Sequence, residues 1–296
     1  MSSFLFVNPS LVLAASGGRI GGGNFQAPAP RSRNYGGYGG NNFRGYGNGY
    51  RGGGIGFPFL LPIFGFGGGG IFGFLILMSI VSVIVNSFKN SSNISNLSNN
   101  SIASQSAKPS KVSLIQLQIG LLASAREIQV KLRDLASFSD TSTLSSLQRI
   151  LQDTTLSLLR QPELWVYSNI ETGSVPFASA ESTFNRISII ERSKLQAEIT
   201  SNYSGQISTS STTETYSGDS DPTNEYIAVT ILVATKKNLN LTNSANNEFI
   251  TEALRLLGSI SSNDLIALEI IWQPDGEGET LREEELITKY PNLKHL

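Results

Sequence analysis

The sequence predicts an α+β chain: a single transmembrane helix, then a helical hairpin packed with a small mixed sheet containing a βαβ crossover. Three observations carry this. Residues 57 to 85 hold no charge; two stretches after residue 112 place apolar residues at helical spacing; and two nearly continuous apolar strands flank a further helical stretch.

Residues 1–15 contain the run FLFVNPSLVLAA, and Val12-Leu13-Ala14 has the small-residue character of a signal-peptidase site. No Lys or Arg precedes it, so either the start is truncated, which is the favoured expectation, or the segment is not cleaved. Residues 16–56 form an arm rich in Gly, Tyr and Arg. Of the 29 glycines, 22 precede Phe74, and five arginines with no Asp or Glu fall before Phe57. Such a composition buries too little apolar area to order itself, so the arm is expected to be disordered. Its alternation of Gly with Tyr, Asn and Arg matches RGG-type segments, which makes RNA tethering through Arg33, Arg44 and Arg51 one reading of its role. A plain tether or a lipid-headgroup contact is the simpler one.

Residues 57–88 are the expected membrane segment. The core, Ile71 to Val85, would reach only about 22 Å as a helix, short of a hydrocarbon layer of about 30 Å. It must therefore borrow from Gly67–Gly70 or from Asn86 to Phe88. Before it, FPFLLPIFGF has two prolines in ten residues and suits an interfacial or re-entrant segment better than a second crossing. Arg44 and Arg51 ahead of the span place the arm in the cytoplasm by charge bias, whereas a cleaved signal peptide demands the opposite. Residues 89–111 are an Asn/Ser-rich linker whose sequon matches follow from composition.

The domain proper is expected at 112–296. Leu114, Leu121, Ile128 and Leu135 repeat every seven residues and predict an amphipathic helix; a second, after Asp140, must stop near Arg160 ahead of Pro162. Residues 164–170 (LWVYSNI) predict a strand, 178–200 a helix capped by Ser179, and 201–224 an exposed Ser/Thr-rich loop. The apolar run 226–235 implies a strand buried on both faces, with 265–272 as its partner. The helix from about 244 to 257, closed by Gly258, predicts a right-handed parallel crossover between them. Thr280 and Glu283 predict a capping box opening a last helix that runs to about Lys289.

Composition excludes several chemistries. After Lys111, 23 carboxylates face 14 Lys and Arg, an acidic balance that argues against a nucleic-acid-binding surface. With no Cys and one histidine, His295, thiol chemistry and Cys-based zinc sites are excluded and a Ser-His-Asp arrangement would have to rest on the chain terminus. The cluster Asp275 to Glu279 lacks the ligand spacing of an EF-hand and reads as a solvated turn. Glu269, between apolar neighbours, is the one carboxylate that burial could shift, as a general acid would need, while strand alternation could equally point it to solvent. Trp165, Tyr167 and Trp272 read as core aromatics before a partner patch. Gly67–Gly70 lacks the Lys and Ser/Thr of a phosphate loop. No catalytic, cofactor-binding or metal residue is assigned.

Four blocks carry a resemblance: FPFLLPIFGFGGGGIFG, SLIQLQIGLLASAREIQ, LQDTTLSLLRQPELWVY and EYIAVTILVAT. Together they resemble a membrane family of cyanobacteria and plastids, a domain of unknown function, whose plant members are similar to the fluctuating-light acclimation proteins. The resemblance implies residence in a thylakoid or plasma membrane and a regulatory, non-enzymatic role in adjusting photosynthesis. It brings no established catalytic residues. The expected partners are membrane lipid and a protein of a membrane complex, met by the C-terminal domain, with no cofactor. A carboxylate-dependent, membrane-tethered hydrolase using Glu269 or the 275–279 turn is the rival from another class.

Overall fold

The computed structural model describes residues 15–26, 111–210, 225–239, 241, 246–276 and 279–296. The signal peptide up to residue 14, the arm beyond residue 26, the membrane segment 57–88 and the linker to residue 110 lie outside them. Among the described residues no helix is long and apolar enough to cross a membrane.

Nine strands make one sheet: β1 (Gly17–Gly23), β2 (Lys111–Leu122), β3 (Trp165–Pro176), β4 (Glu198–Tyr203), β5 (Gln206–Thr209), β6 (Glu225–Thr235), β7 (Leu265–Gln273), β8 (Leu281–Arg282) and β9 (Lys294–His295). Their order is β5-β4-β1-β7-β6-β2-β3-β9, with β8 added to β6. Among the described residues five α-helices cover it: α1 (Arg126–Phe138), α2 (Leu144–Leu159), α3 (Phe177–Arg192), α4 (Asn247–Gly258) and α5 (Glu283–Lys289).

Side-chain alternation along the strands sorts the layers. On β6, Ile227, Val229, Ile231 and Val233 join the helices α1, α2 and α4 in one large apolar cluster. Leu232 and Ala234 face the other way, against Ala180, Phe184 and Ile187 of α3. Ala228 lies with Leu286 of α5 and Tyr290. The result is a three-layer arrangement whose central strand β6 is buried at every residue, as the unbroken apolar run implied.

The helical hairpin is present as α1 and α2, with Thr143 capping α2 by accepting from Ser146 N. The sheet, expected to be small, has nine strands. Further expectations are corrected. Residues 111–122 are strand β2, not the start of a helix. The seven-residue spacing of Leu114 and Leu121 puts them on opposite faces of a strand, and both faces are covered, so the heptad pattern is that of a two-sided strand followed by α1.

Strands β6 and β7 pair antiparallel, with Ile231 opposite Ile270 and Thr235 opposite Leu265, so the segment containing α4 leaves and returns at the same end of the sheet. It is not a parallel crossover. The mixed character comes instead from β1, parallel to β4 and antiparallel to β7. The predicted helix after 178 ends at Arg192, and residues 198–209 form the hairpin β4–β5. Its cap residue is Pro176 rather than Ser179. The last helix opens at Glu283, with Glu285 rather than Glu283 accepting from the Arg282 amide at 3.1 Å.

The largest correction concerns the Gly-rich arm, whose first residues are a strand inside the sheet. Counting apolar side chains misses this strand because it contributes backbone. A Cβ on Gly18 would lie 2.1 Å from the Trp272 indole, and one on Gly21 2.3 Å from the Leu268 carbonyl oxygen. The missing side chains are what let β1 lie against β7. Ile20 fills the core, and Arg19 donates to Ser201 (3.0 Å) while facing Glu198 and Glu269, each at 3.4 Å.

Candidate functional site

The α3/α5 side of the sheet is not uniformly apolar. On β2, Leu114 belongs to the cluster under α3, but the next residues on that face are Gln116 and Gln118, 6 % and 4 % exposed. Asn169 and Glu171 lie beside them on β3 and Thr230 on β6. Above this belt, α3 ends with Ile187, Ile190 and Glu191, and α5 ends with Lys289. Between them opens a cleft of about 220 Å³, with Gln116, Gln118 and Glu171 in its lining and Lys194 and Tyr290–Asn292 at its sides.

Glu191, 3 % exposed, is the centre of a hydrogen-bond network. Gln118 Nε2 and Thr230 Oγ1 donate to its Oε2 at 2.9 and 3.2 Å, and Lys194 Nζ donates to Oε1 at 2.6 Å. The Lys194 ammonium also sits 4.3 Å from the centre of the Tyr290 ring. Asn169 Nδ2 is shared between Gln118 Oε1 and Glu171 Oε1, and Asn292 reaches the same Glu171 oxygen at 3.1 Å. This buried charge is thus paired and satisfied, the condition under which one survives in a core.

One buried group in the cleft lining is unsatisfied: the Lys289 Nζ has no hydrogen-bond partner among the described residues. The Gln116 amide, 6 % exposed, opens onto the cleft beside it. Burial pulls the Lys289 ammonium below its ordinary 10.5, with Glu285 opposing. Burial pushes the Glu171 carboxyl above its ordinary 4.5, and pushes the Tyr290 hydroxyl up as well. Together the cleft offers an open amide, an unpaired cation and apolar walls from Ile187 and Ile190. That set suits a carboxylate adjoining an amide-like group.

The residues singled out by sequence lie elsewhere. Glu269 is fully buried and pushed up by burial, with Ser188 and Arg19 pulling the other way, and it has no path to a substrate. Asp275 is likewise buried, its Oδ1 accepting from Trp272 Nε1 (2.8 Å) and Arg133 Nε (3.1 Å). Glu279 accepts from Ser16, so the acidic turn is partly built into the fold rather than wholly solvated; Glu277 and Gly278 lie outside the described residues. Among the described residues no group of three His, Asp or Glu side chains is placed to hold a metal ion. Trp165, Tyr167 and Trp272 are core residues. His295 is exposed, in a strand paired with β3 and with its ring edge-on to Tyr167 at 5.2 Å.

Residues 111–296 match the family model described as a protein of unknown function, DUF1517. The chain belongs to this family. The DUF1517 match begins at the first residue of β2 and contains every cleft residue, but it leaves out β1. Two relatives extend over the rest. The chain is 42 % identical over 286 residues to the FLAP1 homolog A of Synechocystis, covering 94 % of this chain and 85 % of that protein. It is 36 % identical over 310 residues to the chloroplastic FLUCTUATING-LIGHT-ACCLIMATION protein 1 of Arabidopsis thaliana, covering 99 % and 75 %. This is the family that the four sequence blocks resemble. No solved structure matches the chain.

Sequence reasoning missed Glu191, Lys194 and Gln116. A signal was present: Gln116 and Gln118 alternate with Ile115, Leu117 and Ile119, the period of a strand with one polar face.

Proposed function

We propose that the chain is a membrane-anchored, non-enzymatic accessory protein of a photosynthetic membrane, acting in light acclimation by docking a membrane-complex protein through its C-terminal domain. The observation that carries this is kinship: relatives named for fluctuating-light acclimation match the chain over nearly its whole length. The cleft supplies a docking place. Its open Gln116 amide and buried Lys289 ammonium call for a segment that presents a carboxylate beside a backbone or side-chain amide. Glu191, already engaged by three donors, holds the cleft's shape.

The test is a deletion strain of a photosynthetic host grown under steady and under fluctuating light, with chlorophyll-fluorescence transients as the readout. The deletion should differ from its parent under fluctuating light. Wild-type protein should restore the parental trace, and a chain carrying Gln116→Leu and Lys289→Ala should not, although it accumulates to the same level. A deletion strain that tracks its parent in both regimes would remove the proposal.

A further inference from the structure

Strand β1 constrains how the chain meets a membrane. It sits between β4 and β7, hydrogen-bonded to both, and without it the β4–β5 hairpin would be cut off from the rest of the sheet. Its attachment is reinforced on each side. The Ala15 carbonyl accepts from the Gln196 amide at 3.2 Å and from the Gln273 side chain. Ser16 donates to Glu279 and accepts from the Gly276 amide at 3.1 Å. Arg19 ties to Glu198 and Glu269 and lies 4.6 Å over the Tyr203 ring. Residues 15–26 are therefore part of the domain made by residues 111–296, yet the apolar stretch 57–88 lies between them in the chain.

A sheet cannot be paired through a bilayer. If 57–88 crossed the membrane once, β1 and its partners β4 and β7 would be on opposite sides. Returning through a second crossing would need about 20 further apolar residues. The only apolar run near Ile71–Val85 is the ten-residue FPFLLPIFGF with its two prolines. Arg31, Arg33, Arg44 and Arg51 interrupt the stretch before it, and Asn and Ser fill the stretch after it.

We infer that residues 15–26 and 111–296 lie on the same face of the membrane, so that any membrane contact made by the chain between them leaves both on that face. The inference rests on the proposed membrane anchoring of residues 57–88. Charge placement does not oppose it: Arg44 and Arg51 precede the apolar stretch and Lys89 follows it, so basic residues flank both ends. The cleft and strand β1 therefore meet partners from one and the same side of the membrane.

The absence of native Cys makes the test direct. In the full-length chain, Gln26→Cys and Glu252→Cys place single thiols at exposed positions in β1's continuation and on α4. Each is labelled with a membrane-impermeant maleimide in sealed membranes before and after lysis. Both thiols should show the same lysis dependence; one labelled before lysis and the other only after it would overturn the inference. A second variant, Arg19→Cys with Ser201→Cys, at positions directly opposed on β1 and β4, should give an intrachain disulfide in intact membranes. A covalent dimer in its place would show β1 supplied by a second copy and would also overturn the inference. Alkaline carbonate, applied separately, reports the anchor: release of the chain would overturn the membrane reading itself, whereas retention with opposite-side labelling would overturn the same-side inference alone.

Discussion

The two faces of the sheet are made by the same strands and do different work. Under α1, α2 and α4 the face is continuous and apolar, with Leu117, Ile119, Val229, Ile231 and Ile270 packed on Leu147, Leu151, Ile250 and Leu254. Under α3 and α5 the apolar area is split in two. Gln116, Gln118, Glu171 and Glu191 lie at the division, three of them less than a tenth exposed. A strand that alternates Ile and Gln, as β2 does, builds both faces at once. One face holds the fold together, and the other maintains a polar, partly open cleft at a cost in burial. Substitutions on the two faces should therefore fail differently.

The largest effect belongs to the continuous face. Leu254→Ala removes a fully buried side chain where α4 meets α2 and the sheet, and should cost about 2–5 kcal/mol by chemical denaturation. A loss well under about 1 kcal/mol would mean that this face is loosely packed and that the contrast is false.

Next is the ion pair that roofs the cleft. Glu191→Ala leaves Lys194, Gln118 and Thr230 without their shared acceptor. Breaking a fully buried pair costs about 3–5 kcal/mol, and partial exposure of Lys194 should reduce this to about 2–3. Glu191→Gln, which keeps an acceptor at that place, should recover part of the loss. Equal losses in both variants would show that the charge, not the hydrogen bonding, is what matters there.

The cleft face should also give stability a pH dependence that the packed face lacks. Burial raises the Glu171 carboxyl above 4.5, so the folded state holds its proton more tightly than the unfolded chain does. That contribution is complete below pH 4.5 and is lost as pH rises through the raised value. Glu171→Gln does not titrate and should lose less stability than wild type over that rise. Glu269 shifts in the same direction and is present in both chains, so the difference between their denaturation midpoints isolates Glu171. Identical pH profiles would show that Glu171 is effectively solvated.

The legible parts of the fold were those where one face is wet. Helices α2 and α4 and the second half of the predicted first helix followed from their apolar stripes, because their outer faces are polar. Strands β6 and β7 were legible from unbroken apolar runs, but such runs carry no direction, and the antiparallel pairing of Thr235 with Leu265 could not be read from them. Strand β2 was hidden because both of its sides are covered, so Leu114 and Leu121 mimicked a heptad. Strand β1 was hidden because its glycines serve by lacking side chains, a property that composition scores as disorder. The burial of Glu269 was one of two readings that its strand allowed, whereas the Glu191–Lys194 pair was not read at all: three residues apart beyond the middle of α3, it looks like any surface pair until β2 brings Gln118 beneath it.

Gln116→Leu is the smallest expected effect and the sharpest separator of the two faces. An amide that opens onto the cleft gives the fold little, so an apolar side chain of similar size should leave stability unchanged or raise it by up to about 1 kcal/mol. The same exchange at a residue kept for packing would be destabilising, and the same exchange at a residue kept for binding would abolish binding without touching the fold. Unchanged or raised stability together with failure to restore the fluctuating-light response assigns Gln116 to the docking cleft. Lost stability would instead return it to the core and make the polar side of β2 a structural feature like its apolar one.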